Sequence, residues 1–144
     1  MANTVSMSQS IAGRYAQAVF DITKEDGGLD ALARQTADLD AALKDSADLR
    51  DLIASPLYSR DQQSRAIAAL AAKMKLSPVL SNTLQLMARN RRLFVLPQLT
   101  SRLADLIATE RGEITADVTS AIALSDEQQE RLKQTLAEKS GKTV

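Results

Sequence analysis

Apolar residues recur every three or four positions along most of the chain, a helical period that holds until about residue 112 and then changes. Ile11, Tyr15, Ala18 and Ile22 are spaced by four, three and four, which predicts a first helix capped by Ser8 or Ser10 and closed by Gly27-Gly28. Leu29, Leu32, Thr36, Leu39 and Leu43 carry a second helix to about Lys44. A third spans Ala47 to Ile53 and stops at Ser55-Pro56, because proline disfavours helix in the residue before it. Ser59 starts a fourth, with Ile67, Leu70, Ala71 and Met74 inward. Ser77 is placed as N-cap of a fifth, with Pro78 in its first turn, where proline is tolerated. A sixth begins near Val95 and runs through Leu99, Leu103 and Leu106 to about Arg111. Six helices with short connections imply an antiparallel bundle.

After Gly112 the period becomes two. Ile114, Ala116, Val118, Ser120 and Ile122 alternate with polar or small residues, which predicts a strand over about 113–122. Ser125-Asp126-Glu127-Gln128 is a capping-box signature, so a helix is expected over about 126–140, with Leu132 and Leu136 on one face and Gly141 past its end. The expected fold class is therefore mainly all-α: a six-helix antiparallel bundle over 1–111, then an incomplete α+β segment over 112–144. A lone strand cannot satisfy its edge groups, so that segment is expected to be the start of a second, truncated domain.

Composition narrows the chemistry. The chain's 144 residues are 44% hydrophobic but only 3% aromatic, so the core must be built from Leu, Ile, Val, Met and Ala, a palette that favours helices. With no cysteine and no histidine, thiol catalysis, disulfides, zinc sites and imidazole triads are excluded. No glycine-rich phosphate loop is present and no spacing singles out a pair of carboxylates, so no enzyme activity, cofactor or metal is expected. No apolar stretch is long enough to span a bilayer, and the N-terminal residues lack the basic start and apolar run of a signal peptide. A cytosol-like compartment is expected, without direct membrane insertion.

Formal net charge is zero, yet the charge is polarised. From Arg60 to Arg102 eight basic residues (60, 65, 73, 75, 89, 91, 92, 102) face one acid, Asp61, while Asp21 to Asp51 holds nine acids and four bases. The densest cations, Arg89, Arg91 and Arg92 in "MARNRRLFVLP", fall where the fifth helix ends. There they complement the negative helix terminus and can bond its last carbonyls. Basic residues spread over three helices, with few aromatics to stack on bases, make a poor nucleic-acid grip; a helical-bundle DNA-binding protein or another helix-binding adaptor stays as the alternative.

Two apolar arcs are unusually wide. Around the stripe of Ile11, Tyr15, Ala18 and Ile22, the residues Ala12, Ala16, Val19 and Phe20 extend the first helix's apolar face to about half its circumference. On the fifth, Val79, Thr83 and Leu86 lead into Leu80, Leu84, Met87 and Ala88. Such arcs mark either central helices touching several neighbours or a groove that accepts an amphipathic helix from elsewhere.

"GRYAQAVFDI" at 13–22, "LMARNRRLFVLPQL" at 86–99 and "ITADVTSAIALSDEQQERL" at 114–132 resemble, in order and spacing, the delta subunits of bacterial F-type ATP synthase and their mitochondrial counterpart, the oligomycin-sensitivity-conferring protein. The resemblance covers about Ile11 to Val144. It implies a non-catalytic stator subunit, peripheral on the cytoplasmic side of the bacterial plasma membrane. Its N-terminal bundle would bind the N-terminal helix of an alpha subunit of the catalytic head. Its C-terminal domain would bind b-type peripheral-stalk subunits. The family's groove lies between the first and fifth helices, so the resemblance implies Tyr15, Ala16 and Val19, with Leu84 and Met87, as groove residues. Ala12, Leu80 and Ala88 join them on helix geometry. Family members continue beyond the equivalent of Val144, hence the expected truncation.

Overall fold

The computed structural model describes residues 2–113, 116 and 118–144, with side chains from Ser6 onward. Its elements are α1 (Ala2–Glu25), α2 (Leu29–Asp45), α3 (Ala47–Ala54), α4 (Arg60–Lys73), α5 (Pro78–Arg89), a 3-10 turn (Leu93–Val95), α6 (Leu96–Glu110) and α7 (Asp126–Ser140). The six helices expected from the period are all present, and α1 begins earlier than its expected serine cap. No glycine or proline stands between Ala2 and Ser8 to stop it.

The starts follow the local chemistry. Ser46, Ser59, Ser77 and Ser125 each accept a hydrogen bond from the backbone N–H three residues on, and Gln62 and Gln128 return the bond to complete capping boxes at α4 and α7. Four ends share one geometry. After α1, α4, α5 and α6 the chain turns through a left-handed residue, with paired N–H bonds back to the last free carbonyls: Gly28 N–H to Thr23, Leu76 to Ala71, Arg92 to Met87 and Glu113 to Ala108. Gly27 and Gly112 supply the positive φ in two cases, but Lys75 (φ 54°) and Arg91 (φ 58°) do so in the others. A side chain there costs about 1 kcal/mol or more relative to glycine. Lys75 is exposed, so Lys75→Gly should raise stability by about 0.5–1 kcal/mol net of the entropy glycine adds to the unfolded chain. Urea denaturation followed by circular dichroism would register this as a higher midpoint with unchanged slope.

The chain divides into two compact units, Met1–Leu106 and Ile107–Val144, so the division falls five residues before the Arg111–Gly112 boundary expected from the pattern. The first unit holds a continuous aliphatic core. Leu32 and Leu39 of α2, Ile67 of α4, Leu80, Leu84 and Met87 of α5, and Leu96, Leu99 and Leu103 of α6 are all fully buried. α4 and α5 form the most closely packed pair, and α1 packs on α5, α2 and the 3-10 turn. Thr36, which keeps the period of α2, is buried with its Oγ1 lacking a hydrogen-bond partner among the described residues. Thr36→Val should therefore stabilise the bundle by about 1 kcal/mol, read as a higher melting temperature, because the isosteric methyl removes an unsatisfied hydroxyl.

In the second unit, α7 has no buried residue. Its Leu132 and Leu136 line an open apolar hollow together with Ala116, Val118, Leu124 and Val144. The strand expected over 113–122 falls partly outside the described residues, at 114, 115 and 117. The rest of it is corrected: Glu113 makes an isolated parallel bridge with Thr143, and 116 and 118–122 are not in a strand. Alternation licenses a strand only where a neighbouring strand pairs with it, and among the described residues that one bridge is the whole of the pairing.

Candidate partner-binding surface

The two wide arcs resolve into two faces each. With about 100° per residue, Ala12, Ala16, Val19, Phe20 and Thr23 of α1 point to one side, and the structure buries all five. Ile11, Tyr15, Ala18 and Ile22 are centred roughly 110° away; Ile11 and Tyr15 are half-buried, Ala18 is exposed and Ile22 is 48% exposed. α5 repeats the arrangement. Leu80, Leu84, Met87 and Ala88 are fully buried, whereas Val79 and Thr83 are half-buried and Leu86 is 48% exposed.

This corrects the groove expected from sequence. Of its eight residues, Ala12, Ala16, Val19, Leu80, Leu84, Met87 and Ala88 are no more than 1% exposed, so they are sealed by the chain's own side chains and offer nothing to a second molecule. Tyr15 alone is part of the outer surface. The physical reason is that α1 and α5 spend the inner half of each arc on one another and on the bundle. The outer halves, with Ile22, Leu86, Ala18, Val79 and Thr83, are the surplus, and periodicity gives the width of an arc but not which edge a neighbour covers.

Tyr15 joins the two helices on that outer side. Its hydroxyl accepts from Asn90 Nδ2 at 3.4 Å, at the C-cap of α5, and from Arg92 Nη1 at 3.3 Å. The arginines thus differ from expectation. The last carbonyls of α5 are met by the backbone N–H groups of Arg91 and Arg92, while their side chains reach across to Tyr58 and Tyr15. Arg91 Nη1 donates to the Tyr58 carbonyl at 2.8 Å, tying the loop after α3 to the end of α5. Two of the three clustered cations thus each make one hydrogen bond that ties separate parts of the fold together.

The Lys44 amine is raised above its ordinary value by its hydrogen bond with Asp40 and by that carboxylate's charge, a surface i,i+4 pair at 2.7 Å. Among the described residues no group of carboxylates is placed to hold a metal ion, and no helix is long and apolar enough to cross a membrane.

The described residues thus form a helical bundle with partly exposed apolar stripes on the outer sides of α1 and α5. The family model for the ATP synthase delta (OSCP) subunit matches residues 11–144, and the chain belongs to that family. It is similar to ATP synthase subunit delta of Paracoccus denitrificans, with 59% identity over the whole chain and 77% of that protein's length. The subunit delta of Rhodobacter capsulatus is 58% identical over the same shares. Among solved structures, a chain of the mitochondrial ATP synthase hexamer of Toxoplasma gondii superposes with a TM-score of 0.69 at 27% identity, covering 90% of this chain and 72% of that one. The chain is accordingly a non-catalytic, peripheral-stalk subunit of ATP synthase.

Proposed function

We propose that this chain is the stator link of the ATP synthase, holding the alpha/beta catalytic head to the b-subunit stalk so that rotor torque drives synthesis instead of turning the head. The observation that carries this reading is the pair of outward apolar stripes on α1 and α5, Ile11–Tyr15–Ala18–Ile22 and Val79–Thr83–Leu86, bridged through Tyr15. An amphipathic helix laid along this seam would bury its apolar face at i, i+3, i+4 and i+7 positions. The N-terminal helix of an alpha subunit is the proposed occupant. Ala18 would let it approach closely, and Ile22 and Leu86 would act as anchors, since a few buried side chains dominate such interfaces. The second unit, with Leu132 and Leu136 only half-buried on α7, is the proposed contact for b-type subunits. The working position is the cytoplasmic side of the bacterial plasma membrane, peripheral and without insertion. Isothermal titration of the chain with a synthetic alpha-subunit N-terminal segment at several temperatures tests the reading: saturable binding with a negative heat-capacity change is expected, and no saturable heat at any of these temperatures would refute it.

A further inference from the structure

A second surface of the bundle lies where the loop after α3 meets the 3-10 turn. Leu57 is 88% exposed and Phe94 47% exposed, both unusually open for large apolar side chains. Beside them is a cleft of about 250 Å³ lined by Ile53, Pro56, Gln63, Arg91, Leu93 and Phe94. Pockets that enclose drug-sized ligands run to roughly 300–1,000 Å³, so this one suits a single apolar side chain.

Two independent features point to an occupant. Gln63 is only 5% exposed and its Nε2 donates to the Leu52 carbonyl at 3.1 Å, but its Oε1 is buried with no hydrogen-bond partner among the described residues. A buried acceptor left open in the lining of a cleft is a place for an incoming N–H. Arg91 is the one charged residue of the lining, held in a left-handed backbone conformation and anchored through a single Nη1 bond to Tyr58. A guanidinium has five N–H donors, so the others remain to meet a carboxylate.

We propose that this cleft receives a peptide segment of another ATP synthase subunit that carries one large apolar side chain beside an acidic residue. The apolar side chain enters between Phe94 and Pro56, the carboxylate meets Arg91, and Leu57 closes over the segment. This contact is separate from the α1/α5 seam.

The chain has no cysteine, so single-cysteine variants report one position at a time. Leu57→Cys and Phe94→Cys would be labelled with N-ethylmaleimide in the free chain and in the assembled complex, alongside Ile22→Cys for the α1/α5 seam and exposed Ala69→Cys to calibrate reagent access. Labelling at 57 and 94 should be about tenfold slower in the complex, as expected for a surface exposed only in rare openings. Rates at 57 and 94 that slow no more than at Ala69 overturn the proposal, whatever happens at 22, because slowing at 22 reports the seam alone. Adding Arg91→Glu to the Phe94→Cys variant should restore fast labelling, while Arg91→Lys should keep it slow, with circular dichroism of the free chains confirming the fold. Protection that survives Arg91→Glu would overturn an acidic occupant.

Discussion

Ile22→Asp combined with Leu86→Asp should abolish binding of an alpha-subunit N-terminal helix while leaving the bundle folded. Each side chain is about half exposed, so a carboxylate there can stay hydrated in the free chain and costs about 1 kcal/mol or less. In the complex the same carboxylate would be buried against an apolar face without a partner. Truncating a central anchor of such an interface costs about 2 kcal/mol or more, and a buried unpaired charge adds to that. The pair should therefore weaken binding by about a thousandfold, taking at least 2 kcal/mol from each position. Titration calorimetry measures the affinity, and far-UV circular dichroism with a thermal melt shows the fold is kept. Ala69→Asp, on the exposed face of α4, should bind as the parent does. Parent-like affinity in the double variant would remove the seam from the account.

The opposite result is expected one face further round. Leu84→Asp or Val19→Asp should unfold the bundle, with loss of helical circular dichroism at ordinary temperatures. Leu84 is wholly buried and Val19 only 1% exposed. Shortening such a leucine to alanine already costs about 2–5 kcal/mol through the cavity left behind. A carboxylate adds the cost of desolvating a charge, and the sum reaches the whole stability of about 5–15 kcal/mol that a domain of this size has to lose. The contrast is diagnostic. If Leu84→Asp stayed helical and lost only peptide binding, the inner face would be the seam after all, and the burial of α5 would be misassigned.

The two predictions trace what could and could not be read from the residues in order. Helix positions were legible because caps and stops are local chemistry: Ser59 with Gln62, Ser77 with Pro78, Ser125 with Gln128 and Gly141 all act within one turn. The breadth of the apolar arcs on α1 and α5 was legible for the same reason. Which edge of each arc faces inward was not, since that depends on how residues some seventy positions apart meet, as Tyr15 and Asn90 do. The arginines show the same limit. Their place at the end of α5 was readable, but the long reach of Arg91 to Tyr58 and of Arg92 to Tyr15 was not. The orphaned Gln63 acceptor left no trace in the sequence, because a glutamine in an otherwise apolar period looks like an exposed one.

The close pairing of α4 with α5 carries a consequence for the order in which the molecule assembles. These neighbours are joined by the few residues from Met74 to Ser77, so their contact closes a small loop at little entropic cost. α1 must instead find α5 across the 52 residues between Glu25 and Pro78, a non-local search that contact-order reasoning places later. The α4–α5 hairpin is therefore expected to form before α1 meets α5, an order that phi-value analysis of the two contacts would check. The outward stripes of α1 and α5 come side by side only once these two helices have packed on each other.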